Sequence, residues 1–161
     1  MRTYRIIALA LSLVGCTTAY VQPPAESSAT LTLTNASKTS GVAFLAYGSS
    51  ESCKISELTS LSQLHSADRE VRAGESMTVR IPGGLPFTVD AGTGNPTSRS
   101  CEVIATFMPI RGKSYVATFE DAESRCFLSV RRIEDGVHLR EPSVRQREKV
   151  AGIANGMNAC R

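Results

Sequence analysis

Between residues 31 and 133 the chain is cut into short β-prone runs, each closed by turn-forming residues, and this punctuation limits what it can become. Leu31-Thr-Leu-Thr34 alternates apolar with polar and stops at Asn35. Val42 to Tyr47 ends at Gly48-Ser-Ser, Met77 to Ile81 at Pro82-Gly83-Gly84, and Phe87 to Ala91 at Gly92-Thr-Gly-Asn-Pro96. Cys101 to Met108, Ser114 to Glu120 and Arg125 to Ile133 complete a set of seven. Side chains of a strand alternate between its two faces, so each run offers one face to a core and needs a second layer to cover it. The pattern predicts an all-β chain folded as a single β-sandwich. Ala73-Gly74-Glu75 reads as the turn into the Met77 run. Two regions depart from the pattern. Leu58, Leu61 and Leu64 fall three apart, as in a helical turn or a loop covering a sheet edge. After Ser143, a possible N-cap, Val150, Ile153, Ala154 and Met157 have helical spacing, weakened by Gly152 and Gly156, which predicts a short helical or irregular tail.

The N-terminus carries an address. Met1-Arg-Thr-Tyr-Arg5 is basic, and Ile6 to Val14 is an apolar run of nine residues, too short to span a bilayer, which needs about 20 as a helix. It matches the apolar region of an export signal. Leu13-Val14-Gly15-Cys16 then resembles the lipobox of bacterial lipoproteins. That resemblance implies cleavage before Cys16 and attachment of a diacylglyceryl group to its thiol, with several acyl chains because one chain holds a protein only marginally. Thr17, in place of Asp, resembles the sorting signal of cargo released to the outer membrane, with retention in the inner membrane the lesser expectation. The expected organisation is a cleaved signal over 1–15, an anchor and tether over 16–29 containing Pro23-Pro24 and Ser27-Ser28, and a folded domain over 30–161. Of 18 Lys+Arg, Arg2 and Arg5 lie in the signal, which leaves 16 against 15 Asp+Glu. A nearly neutral domain is a poor match for nucleic acid.

Four cysteines follow Cys16: Cys53, Cys101, Cys126 and Cys160. Export places them where thiols oxidise, and an even number argues for two disulfides. None lie close enough together for the C-x-x-C spacing of a zinc site. Four cysteines admit three pairings, and spacing does not choose among them. The pairing we favour joins Cys101 to Cys126, at the openings of two strands that flank a third, and Cys53 to Cys160, fastening the C-terminal end to the first half of the domain.

Between Cys101 and Cys126 stands Phe107-x-Pro109-x-x-Gly112-x-x-Tyr115. Pro109 cannot donate to a ladder and should end one strand, Gly112 suits a turn with positive φ, and Phe107 and Tyr115 are placed to pair across a hairpin. The arrangement resembles small Gram-negative lipoproteins that carry a cysteine, F-x-P-x-x-G-x-x-Y and a second cysteine, and the likeness extends to Tyr47-Gly48-Ser-Ser-Glu-Ser-Cys53 and the cysteine near the C-terminus. It implies a compact sandwich of immunoglobulin-like or transthyretin-like kind and the same disulfide pairing. It transfers no catalytic residue.

Residues capable of chemistry are sparse. There is no Trp, and His65 and His138 are the two histidines. Neither a G-x-S-x-G nor an H-E-x-x-H motif occurs, and Gly92-Thr-Gly-Asn lacks the Lys and the following helix of a phosphate loop. Glu120-Asp121-Ala-Glu123 reads as a solvated loop, and Asn35-Ala36-Ser37 as turn chemistry. Residues 131–161 hold seven basic against four acidic side chains, which could face lipid or lipopolysaccharide phosphates but reads more simply as solvated surface. The expectation is a non-enzymatic lipoprotein without catalytic residues, metal or cofactor. It would be held to the outer membrane through Cys16, facing the periplasm, and would present a surface to an envelope protein. Exposed sheet edges, residues 49–52 and residues 92–100 are the candidate contacts. The alternatives are an envelope lysozyme inhibitor and a secretion-system accessory lipoprotein.

Overall fold

In the computed structural model, residues 18–38, 41–47, 53, 58–61, 70–93, 101–122, 125–148 and 160 are described. They form a β-sandwich of eleven strands. These are β1 (Thr18–Ala19), β2 (Ser28–Asn35), β3 (Val42–Tyr47), β4 (Leu58–Ser60), β5 (Ser76–Pro82), β6 (Phe87–Thr93), β7 (Cys101–Phe107), β8 (Ser114–Ala122), β9 (Arg125–Glu134), β10 (Val137–Arg140) and β11 (Arg145–Arg147). One sheet runs β1-β4-β3-β6-β7-β11, the other β10-β9-β8-β2-β5. All seven expected runs are strands, and the four additional strands are short edge or near-edge pieces. Among the described residues no helix is long and apolar enough to cross a membrane.

Alternation builds the five-stranded sheet. Leu31 and Leu33 of β2, Met77, Val79 and Ile81 of β5, Tyr115, Ala117 and Phe119 of β8, and Leu128 and Val130 of β9 point inward and are buried. The outward threonines of β2 pair hydroxyl to hydroxyl with β5, Thr32 with Thr78 at 3.1 Å and Thr34 with Ser76 at 2.9 Å. β3 and β6 behave differently, being buried at every position, as strands covered on both faces are. On the outer side of their sheet Tyr47 and Ile104 cluster with Cys53 and Cys160. Those cysteines form one disulfide, with Cα atoms 5.6 Å apart. The other, Cys101–Cys126, joins β7 to β9 across the two sheets, with Cα atoms 5.9 Å apart.

The F-x-P-x-x-G-x-x-Y segment corrects one expectation. β7 and β8 lie in different sheets, so the segment is a crossing between layers rather than a hairpin. Pro109 has no N–H to offer, and the Ile110 N–H donates to the Tyr115 hydroxyl at 2.8 Å, so the ladder cannot continue. Phe107 and Tyr115 do meet, across the core, at 5.3 Å between ring centroids. Gly112, at φ +72°, donates its N–H to the Ser28 carbonyl, while the Pro109 carbonyl accepts from Gly84 in the β5–β6 turn. Gly83 in that turn lies against Arg111, and a Cβ there would fall 2.8 Å from the Arg111 Cα.

The expected tether is also drawn in. Thr18 and Ala19 run parallel to Thr59 and Ser60 of β4, Tyr20 packs edge-on against Phe87, and the Gln22 amide oxygen accepts the Arg80 N–H at 2.8 Å. Tyr20, Phe87, Phe107 and Tyr115 thereby form one aromatic file through the interior. The signal over 1–15 and Cys16 lie outside the described residues. Leu58 belongs to β4 rather than to a helical turn, Leu61 is buried, and Leu64 lies outside the described residues. At the other end Ser143 caps no helix. The residues after it, Arg145–Arg147, pair antiparallel with Ile104–Thr106 of β7, while 149–159 lie outside the described residues.

Candidate functional site

Among the described residues, a groove of about 730 Å³ opens where the edge of one sheet meets the edge of the other. It forms because β10 is short. Asp135 and Gly136, both at positive φ, make a two-residue hairpin that pairs Val137–Arg140 with Arg131–Glu134. Glu141-Pro142 then turns the chain away, Pro142 having no N–H for a ladder, and β11 joins the opposite sheet. The earlier half of β9 is left as one wall, with Val144 and Gln146 on the other and Val103 beneath. The Cys101–Cys126 disulfide ties the walls together at the far end.

The corner that ends β10 is held by a buried carboxylate. Glu141 is 4% exposed. Its Oε1 accepts from the Ser143 N–H at 3.0 Å and the Ser143 hydroxyl at 2.7 Å, and its Oε2 lies 3.7 Å from the Arg132 guanidinium. The Ser143 Oγ accepts in turn from the Met108 N–H at 2.9 Å, so the corner is tied to the end of β7. Arg132 also meets Glu134, which Lys113 approaches from outside. Nearby, burial pushes the Tyr115 hydroxyl up from its usual pKa, opposed by the hydrogen bond it accepts from Ile110.

The groove is apolar inside and basic at its mouth. Phe127 on the outer side of β9 is 53% exposed. Arg131 and Arg140 stand directly opposite one another across β9 and β10, both exposed and both lining the groove. Gln146 reaches over from β11, its amide donating to the Leu128 carbonyl at 2.8 Å.

The residues singled out from the sequence scatter around this feature. His138 is exposed on β10 opposite Ile133 and lines no described part of the groove; His65 lies outside the described residues, as do 49–52 and 94–100. Gly92 and Thr93 belong to β6. Glu120 and Asp121 are in β8, opposite Phe127 and Cys126, and not in a loop, because β8 and β9 stay paired to Ala122 and Arg125. Asn35 is fully buried: its amide donates to the Val71 carbonyl and its oxygen accepts the Ser37 N–H, which is turn chemistry. Among the described residues no group of three or more His, Cys, Asp or Glu converges. Phe127 is not singled out by the sequence, and Arg131 and Arg140 enter there only as members of the basic segment 131–161, not as a pair. The signal was present in the ten residues of β9 set against a partner that Pro142 halts after four.

No protein-family model matches the chain, and no curated protein is similar to it.

Proposed function

We propose that the chain is a bacterial envelope lipoprotein, anchored to the outer membrane through an acylated Cys16 and facing the periplasm. It works without catalysis by presenting a protein-binding surface. The observation that carries this reading is the groove beside β9, where apolar floor, an exposed aromatic and two exposed arginines adjoin. Aromatic and Arg side chains at a concave site are the residues that supply most of the energy in protein interfaces. The leader residues Leu13-Val14-Gly15-Cys16 support the anchor, and two disulfides agree with an oxidising compartment.

The test is a photo-crosslinking amino acid placed at Phe127 in living cells, with the same group at exposed Val21 as the control. One discrete protein adduct from position 127 and none from 21 is the expected result. Adducts of equal strength at both positions, or none at 127, would remove the groove from consideration. An adduct with a muramidase would turn the reading to a lysozyme inhibitor, and one with a secretion assembly to an accessory lipoprotein.

A further inference from the structure

β9 has a partner on one side for most of its length and on the other for less than half. It pairs with β8 over Arg125–Ile133, whereas β10 matches Arg131–Glu134. The N–H and C=O of one strand residue point to the same side, and the side alternates along the chain. Gln146 reaches the Leu128 carbonyl from the β10 side, which puts the main-chain groups of Cys126, Leu128 and Val130 on the open edge. Among the described residues, no other element bonds the open-edge groups of Cys126, while the Arg140–Arg131 register sets the Glu141 N–H against the Val130 carbonyl and so marks where β10 stops covering the edge. The Gln146 amide stands where the N–H of a further strand would be.

The charge beside this edge has a sign. Arg131 and Arg140 form a directly opposed cross-strand pair, and neither has an acidic partner among the described residues. Like charges so placed repel, and an anion between them relieves the repulsion. Inorganic or lipid phosphate would use the arginines but leave the open main-chain groups unused, whereas an extended acidic peptide uses both.

We infer that an extended segment of a partner protein, acidic at alternate positions, adds as a strand along Cys126–Val130 in line with β10. The inference rests on the protein-binding reading and names the chemistry of the partner. Main-chain hydrogen bonds supply affinity in strand addition and alternate side chains supply specificity. The acidic side chains lie on the outer face beside Arg131 and Arg140, and the apolar ones between them enter the groove toward Val144. Gln146 releases the Leu128 carbonyl to the incoming N–H.

The test uses the full chain in neutral phosphatidylcholine vesicles, with amide hydrogen exchange read residue by residue. Four probes are compared: a soluble heptapeptide alternating Glu and Val, the same peptide with Lys for Glu, the Glu–Val peptide N-methylated at every amide so that neither edge can donate, and phosphatidylglycerol added to the vesicles. The Glu–Val peptide should slow exchange at Cys126, Leu128 and Val130 by roughly tenfold or more, with the Lys and N-methylated peptides inactive. An Arg131→Glu, Arg140→Glu chain, its exchange elsewhere in the sandwich unchanged, should prefer the Lys peptide. Unchanged exchange at those three amides, equal protection by the N-methylated peptide, or protection by phosphatidylglycerol alone would overturn strand addition. Such a failure beside a retained Phe127 adduct sinks this inference alone, and loss of the adduct sinks the protein-binding reading as well.

Discussion

Tyr20 combines two consequences of burial in one side chain. Its ring packs against Phe87 at 6.2 Å, yet its hydroxyl is buried without a hydrogen-bond partner among the described residues. Desolvation pushes its pKa from 10.0 up to about 12. A phenol that ionises later in the folded chain than in the unfolded one contributes nothing to pH dependence below about pH 10. Above it the unfolded chain sheds its proton first, and stability falls as pH rises toward 12. Tyr20→Phe removes an unsatisfied polar atom and keeps the ring. At pH 7 its unfolding free energy from urea titration should be unchanged or higher, by about 1 kcal/mol at most, and its decline between pH 10 and 12 should be shallower. A loss of stability at neutral pH would mean that the hydroxyl has a partner. Tyr115, whose hydroxyl is also raised but accepts the Ile110 N–H, adds to the alkaline decline in the same direction.

At the scale of elements, strands were legible where alternation decided their burial, and less so where a neighbour did. Leu31 to Thr34 and Met77 to Ile81 declare an inner and an outer side, and both are strands. Val42 to Tyr47 has no polar side, because both of its faces are covered. The Phe107–Tyr115 contact was readable as a pair, but nothing local says whether Pro109–Gly112 joins strands of one sheet or of two. That depends on where Gly83 and Gly84 arrive, far along the chain, to meet Pro109 and Arg111. The groove escaped for a related reason: it is made by the end of β10, and a cavity left by a missing neighbour has no residue pattern of its own. The disulfides act at this scale too. The Cys53–Cys160 bridge closes 107 residues and Cys101–Cys126 closes 25, so in the chain-entropy account the longer contributes about 1 kcal/mol more. Cys101→Ala with Cys126→Ala should cost about 3 kcal/mol in urea unfolding and, because that bridge ties β7 to β9, should also weaken the Phe127 adduct. Cys53→Ala with Cys160→Ala should cost more stability and leave the adduct in place. Equal effects on the adduct would separate the groove from its disulfide.

For the whole molecule, attachment is the property on which the proposed role turns. Replacing Cys16 with Ala should shift the chain from the membrane fraction to the soluble fraction, or leave it with an uncut leader, and abolish metabolic labelling by palmitate. Labelling that persists in that variant would dismiss the anchor. The docked Thr18–Ala19 adds a geometric consequence. One residue, Thr17, separates Cys16 from the first residue of β1, and the two Cα steps between them reach at most about 7 Å. An acylated Cys16 would therefore moor the sandwich by its β1 margin on a very short leash. From β1 to β11 the sheet is crossed in five steps of about 4.8 Å, which lifts the far margin roughly 24 Å from the mooring. The protein would stand on the membrane like a post rather than drift on a line, holding its receptive side out toward whatever passes through the periplasm.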